Sequence, residues 1–317
     1  MTGTTAGPSD GTVAVVGYAS LDSAVSSPAF GGLDATTHLR GPAVRERPGA
    51  GGVAHLLRAL SRAGVASRAV SWVARDRLGT IWLDDLRAHG VDVSGVAVTG
   101  GRSPSATLVE FDDGPVVCLF DRGDCHGPLD DTQLAELASS SWCVLTVAPR
   151  DVVSVLLERL PADVRLAWVV KHDRDAFSTD LVERLLARAD LVSYSARERD
   201  FAGAGGEPAL RTRPGTLLLE TAGAKGAGYT VVGTDGARTG FVEAEPVEAA
   251  DTTGAGDTFI SSVLARLRSR APFDELADDE VRRVLREAAH DVATLLRSRA
   301  ETGTRPSSPN VDSDEES

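Results

Sequence analysis

Residues 248–260 read EAADTTGAGDTFI, in which Gly254, Ala255 and Gly256 stand directly before a carboxylate, Asp257, at the head of an apolar run. A helix starting there leaves its first backbone N–H groups unpaired and carries a partial positive charge, so a glycine-rich entry can wrap an anion in donors. Small side chains let the backbone approach the anion, and glycine takes the positive φ such a turn needs. A carboxylate in the same turn would repel a bound phosphate unless its task is to accept a proton beside it. A cradle of donors with a base at its edge suits phosphoryl transfer to a hydroxyl. An isolated GxGD serves equally as an aspartate capping a glycine-rich helix start, so the rest of the chain has to decide.

The elements that would position this segment follow from a hydrophobic period that keeps switching between strand and helix. TVAVVGYAS (12–20) reads as a buried strand. GGVAHLLRALSRAG (51–64) reads as a helix with Val53, Leu56, Leu57 and Leu60 on one face and Gly64 as its stop. SRAVSWVA is then a strand and GTIWLDDLRAHG a helix, and SATLVEF and PVVCLF flank DDG as a hairpin. From Asp130 the alternation predicts helices at 130–139, 151–160 and 179–189, a short helix after DLVSYS, and strands at SWCVLTVA, VRLAWVV, DLVSYS, GTLLLET and YTVVG. Two helices close the chain, one near Ala255 and one over 279–299. The expected fold class is α/β: a doubly wound, mainly parallel sheet with helices on both faces, and a small β lid formed from parts of 21–48 and 93–122. The polar segments 1–11 and 301–317 are expected to be disordered, leaving one domain over 12–300.

The 317 residues carry 46 acidic against 33 basic side chains, a net charge of -13 that would repel a phosphate backbone or an anionic bilayer, so neither nucleic acid nor a membrane is an expected partner. Only Lys171 and Lys225 are lysines, which leaves arginine or a metal to supply cations for chemistry. Cys118, Cys125 and Cys143 show no CxxC spacing, pointing to a reducing compartment without structural zinc. With no signal sequence and no apolar run of membrane length, the expected location is the cytoplasm. There is no GxxxxGK[ST], GxSxG or HExxH. GAGGVA (49–54) fits the G-x-G-x-x-A of dinucleotide enzymes with Asp76 downstream, but THLRGPAVRERP before it is no strand. In DRGDCHG, Cys125 and His126 are adjacent and point apart, and Arg122 stands near the lid where it could meet an anionic substrate.

DTTGAGDTF resembles the C-terminal signature of the ribokinase-like (PfkB) carbohydrate kinases, and the likeness runs over 12–300. VVGYASLD resembles the family's first strand, GAGGVAHLLRALSRAG its glycine-rich substrate loop and helix, VARDRLGTIWLDDLRAHGVDVSGV its next strand, turn and helix, and ETAGAKGAGYTV its nucleotide turn. The resemblance implies transfer of the ATP γ-phosphate to an alcohol of a sugar, with Mg²⁺, often a stimulating K⁺, and homodimers through the lid. It makes Asp257 the base and Gly254, Ala255 and Gly256 the anion hole. It gives Asp22, Gly51, Gly52 and His55 to the substrate, Thr221, Gly223, Gly226, Ser195 and Glu198 to the nucleotide, Glu198 to Mg²⁺ through water, and Asp251 and Thr253 to K⁺. His55 and Ser195 stand where the family usually has Asn, Ala74 and Arg75 where Gly and Asp are common, and His290 where the last helix often has Asn. A nucleoside kinase, a non-catalytic ligand-binding relative and an NAD-dependent oxidoreductase are the alternatives.

Overall fold

The computed structural model describes residues 11–40, 49–112, 116–249 and 252–303. At its centre lies β1 (Val13–Val16), four wholly buried residues paired in parallel with β4 (Ser67–Ala74) on one side and β8 (Trp142–Leu145) on the other. Successive side chains of a strand point to opposite faces, and Val13 and Val15 accordingly join one core while Ala14 and Val16 join the other. An edge strand β5 (Asp92–Thr99), then β9 (Arg165–Val169), β10 (Leu191–Ser195), β11 (Leu217–Thr221), β12 (Gly226–Gly233) and β13 (Gly236–Glu243) complete a nine-stranded sheet ordered β13-β12-β11-β10-β9-β8-β1-β4-β5. Only β12 and β13 run antiparallel to their neighbours.

Helices α1 (Val53–Arg62), α2 (Arg77–Ala88), α7 (Ala255–Leu267) and α8 (Asp278–Gly303) cover one face. The other is covered by α3 (Asp131–Ala138), α4 (Arg150–Arg159), α5 (Thr179–Arg188) and α6 (Arg199–Ala202). Each long helix turns an apolar stripe inward, as Leu56, Leu57 and Leu60 of α1 do with at most 2% exposure. Trp82 of α2 is 1% exposed, a burial of roughly 150–250 Å² or about 4–6 kcal/mol, and its indole N–H still finds the Gly51 carbonyl at 3.1 Å. No described helix is long and apolar enough to cross a membrane.

A second sheet, ordered β3-β2-β6-β7, is built from β3 (Gly49–Gly52), β2 (Ala19–Ser27), β6 (Ser105–Phe111) and β7 (Val116–Asp121). β6 and β7 pair antiparallel, as the hairpin pattern predicts; Asp113 and Gly114 of its turn lie outside the described residues. Three strands have no signal in the pattern, and one of them, β5, comes from the 93–122 region expected to feed the lid yet pairs with β4 at the edge of the large sheet. β3 is GAGG and has almost no side chains to alternate, β5 lies half-buried at a sheet edge, and β13 is mostly exposed. β3 pairs antiparallel with β2 in the small sheet, so the parallel strand that a dinucleotide fingerprint requires is not what precedes α1. α8 starts one residue before the predicted helix and continues to Gly303, into the segment expected to be tail.

Candidate active site

The sequence folds Asp22 onto a floor of bare backbone. A methyl group on Gly51 would lie 2.0 Å from the Asp22 carboxyl, so only glycine leaves room for that side chain. Gly52 caps α1 at φ 58, and a Cβ there would meet the Tyr18 carbonyl at 2.1 Å. That carbonyl accepts from Val53 N at 3.1 Å, seating the head of α1 against the end of β1. Asp22, 7% exposed, accepts from Ser20 Oγ at 2.7 Å on one oxygen and lies 3.2 Å from His55 Nε2 on the other. Behind His55, Arg58 Nη2 reaches His55 Nδ1 at 3.2 Å and donates to the Ala50 carbonyl at 2.6 Å, while its Nη1 donates to Asp85 of α2 at 3.0 Å. The structure therefore brings Asp22, Gly51, Gly52 and His55 together, and adds Ser20, Arg58 and Trp82, which spacing along the chain did not single out.

α7 begins with Gly254 in the left-handed region at φ 74 and carries Asp257 in its first turn. It packs beside α1, where Ser261 Oγ donates to the Leu56 carbonyl at 3.3 Å. A Cβ on Gly254 would stand 3.6 Å from His55 Nδ1, so the head of α7 touches the cluster around Asp22. On its other side Ala255 and Gly256 line a cleft of about 740 Å³ together with Thr221, Gly223 and Gly226. Thr221 ends β11, Gly223 opens the 3₁₀ turn that follows and Gly226 begins β12, where at φ 126 it is obligatory because a Cβ would meet the Val242 carbonyl at 2.1 Å. α8 closes the cleft with Leu285, Ala289, Val292 and Ala293, an apolar wall facing the polar head of α7.

A family model, "pfkB family carbohydrate kinase", matches residues 11–279. The chain belongs to that family. It is 29% identical over 229 residues to a fructokinase of Rhizobium leguminosarum bv. trifolii, covering 66% of this chain and 68% of the relative. It is 27% identical over 210 residues to a fructoselysine 6-kinase of Shigella flexneri, covering 64% and 76%. Among solved structures, a fructokinase with bound ATP from Xylella fastidiosa superposes with a TM-score of 0.71 at 19% identity, over 90% of this chain and 92% of the other.

The other expected residues of this carbohydrate kinase are outside the cleft lining, and Ser195, His290 and Thr253 each adjoin a residue that lines it. Ser195 ends β10 in register with Thr221 of β11, and its N–H and hydroxyl both donate to Glu198 Oε2 at 2.8 Å. His290 bonds Glu245, a cleft residue that Arg297 also holds at 2.8 Å. Both arms draw the Glu245 carboxyl below the usual carboxylate range, the Arg297 hydrogen bond most. Thr253 presents its carbonyl to Arg299 Nη1 at 2.6 Å, whereas Asp251 lies outside the described residues. In VARDRLG, Asp76 caps α2 through Gly79 N at 2.8 Å and receives Ser103 Oγ at 2.7 Å. Burial alone would raise the pKa of Asp76, and these donors together with the Ser103 N–H hold it low, so its part is structural. Cys125 is buried and its thiol pushed up to about 11, which leaves no thiolate to work with His126.

Proposed function

We propose that this kinase moves the γ-phosphate of ATP to a hydroxyl of a sugar held by Asp22, with Asp257 as base. The observation that carries this is the double use of one helix start: Ala255 and Gly256 line the cleft assigned to the nucleotide, while Gly254 abuts the His55 that bonds Asp22. A nucleotide lying from the turn at Thr221, Gly223 and Gly226 toward α7 would bring its terminal phosphate to the N–H groups of Gly254, Ala255 and Gly256. The acceptor hydroxyl, oriented by Asp22 and His55 over Gly51 and Gly52, would then face Asp257, which takes its proton as the new P–O bond forms. Donors fixed before the reaction need no reorganisation when charge develops, and each is typically worth about 10²- to 10³-fold in rate.

Glu198 fits a Mg²⁺ held mainly through water and phosphate, because Ser195 occupies only Oε2 and a single carboxylate is the usual protein share of such a site. The ion would neutralise charge on the β- and γ-phosphates. Among the described residues no three His, Cys, Asp or Glu side chains converge as a metal site. The loop at Thr253 does not suit K⁺, since a guanidinium already holds the Thr253 carbonyl. Two cations about 5 Å apart repel by roughly 3 kcal/mol at an effective dielectric constant near 20. β7 is an edge strand exposed along its length, with Val116 at 55% and Leu119 at 59%, and we assign this apolar edge to a second copy of the chain. A supply of ATP supports the cytoplasm as the site of the reaction.

Fructose and its conjugates are the first acceptors to test, in an assay of ADP release over a panel of sugars and nucleosides. Asp257→Asn should lower kcat about 10²- to 10⁴-fold while ATP still raises the melting temperature. Undiminished turnover in that variant would refute the mechanism.

A further inference from the structure

A second cavity, of about 1060 Å³, opens between the small sheet and the carboxyl ends of β1, β8 and β9. β1 and β8 are the neighbours at which the strand order reverses, the crevice where open α/β sheets bind their ligands. The cavity continues the face that carries Asp22. Asp22 pairs with Ala106, and Ala106 with Phe120, so Phe120 in the cavity wall shares the row and face of Asp22 at two strand spacings, roughly 10 Å. Tyr18 joins the two places: its carbonyl seats α1, and its ring packs edge-on against Phe120 with centroids 5.1 Å apart.

Tyr18 is 9% exposed, and its hydroxyl has no hydrogen-bond partner among the described residues. The hydroxyl opens onto the cavity that Tyr18 lines, where a ligand can meet it. The hydroxyl is aimed into the cavity, because the charged groups that act on it most, Arg122, Asp173, Asp151 and Asp175, all line that cavity. Burial pushes the phenol up to about 12, Arg122 opposing and the three carboxylates adding, so it remains a donor.

The charges around it are uneven. Asp121 has Arg102, and Glu158 and Asp180 share Arg184. The carboxylates of Asp151 and Asp175 meet no cation or donor among the described residues, and Asp173 accepts only the N–H groups of Asp175 and Ala176, both at 2.9 Å. Arg150 is turned away, donating to the carbonyls of Asp175 at 2.8 Å and Arg174 at 2.6 Å.

We propose that this cavity is an acceptor subsite for an ammonium group, so that the preferred substrate is a sugar bearing a protonated amine, which lies among Asp151, Asp173 and Asp175 while the sugar reaches Asp22. An ammonium brings three donors and no acceptor, and carboxylates along this wall can accept them. Arg122, likewise without a partner among the described residues, suits a carboxylate beside the amine, so an amino-acid conjugate of a sugar meets all four groups. The volume exceeds what a lone hexose fills. The proposal rests on the sugar-kinase reading above and deepens it.

The test compares ADP release with fructosyl-lysine and with the same compound acetylated on its α-amine, which keeps the sugar and its protonated linking amine and removes only the ammonium beside the carboxylate. The amine form should exceed the acetylated form at least about tenfold in kcat/KM, the value of one charge-assisted hydrogen bond. In the isosteric double variant Asp151→Asn, Asp175→Asn the ratio should fall to about twofold. Equal use of the two compounds by the unaltered enzyme, or an unchanged ratio in the variant, overturns the proposal. If the double variant melts early without ligand, Asp175→Asn alone carries the same comparison. If no compound releases ADP, the kinase reading fails by itself, and the subsite is then judged by melting temperature. A rise with fructosyl-lysine that the variant lacks supports it, and no rise overturns it.

Discussion

His55 presents Nε2 to Asp22 Oδ2 at 3.2 Å while its Nδ1 faces Arg58 Nη2, also at 3.2 Å. Arginine has no acceptor, so Nδ1 must accept, and the ring proton sits on Nε2, directed at the carboxylate. Arg58 in turn is held by Asp85 and the Ala50 carbonyl, so two donors of α1, anchored on the Asp85 carboxylate of α2, fix one oxygen of Asp22 as Ser20 fixes the other. Replacing His55 by Asn shortens the reach and loses that support. We expect KM for the sugar to rise about tenfold with kcat changed less than about threefold, and Arg58→Leu to move KM the same way by releasing the tautomer. Steady-state kinetics on both substrates decide it; a change confined to KM for ATP would remove Asp22 from the acceptor side.

Gly51→Ala should be far more damaging than its size suggests. The added methyl would overlap the Asp22 carboxyl at 2.0 Å, and Trp82 pins the Gly51 carbonyl so the strand cannot easily withdraw. Because an ångström-scale displacement of a positioned group can cost about 100-fold, kcat/KM for the sugar should drop at least that far. ATP binding, read by thermal shift, should persist.

Arg299 should make the enzyme indifferent to monovalent cations. Rates in KCl and in tetramethylammonium chloride are expected to agree within about twofold at equal ionic strength. Arg299→Ala takes the guanidinium and its competing charge away from the Thr253 carbonyl, so that variant should be slower and regain rate on adding K⁺. A wild-type enzyme that needs K⁺ would show that Arg299 does not stand in for the cation.

His126 should weaken the fold in mild acid. Burial pushes its pKa down to about 4, with Arg122 assisting, and its Nε2 is buried without a partner among the described residues while the ring packs against Tyr18 at 4.7 Å. The unfolded chain, with a value of about 6.5, takes up the proton first. Stability is therefore complete above about pH 6.5 and falls as the pH drops toward 4, by on the order of 1–2 kcal/mol at pH 5. The melting temperature of His126→Phe should decline less between pH 7 and pH 5 than that of the wild type. Equal declines would mean that His126 is solvated in the folded state.

Local order was legible where local chemistry enforces it. The short apolar runs in VAVV and SRAVSWVA, the apolar stripe of 53–60, and the small residues before Asp257 each encode burial or backbone freedom within a few positions, and so announce their elements without the fold. β3 and β13 escaped because GAGG and GARTGFVE become strands only through the partners they meet.

The sequence by itself determined the layered α/β architecture, the helix start at Gly254 and the carboxylate in its first turn, since period, glycine and helix-end donors are properties of neighbouring residues. Tertiary structure alone decided that Gly254 touches His55, that Arg58 sets the proton on that ring, and that Tyr18 faces Asp151, Asp173 and Asp175. Those relations join residues some 130 to 200 positions apart, or turn on which atom of a side chain meets which neighbour. They follow from the order and register of the strands, which burial patterns along the chain leave open.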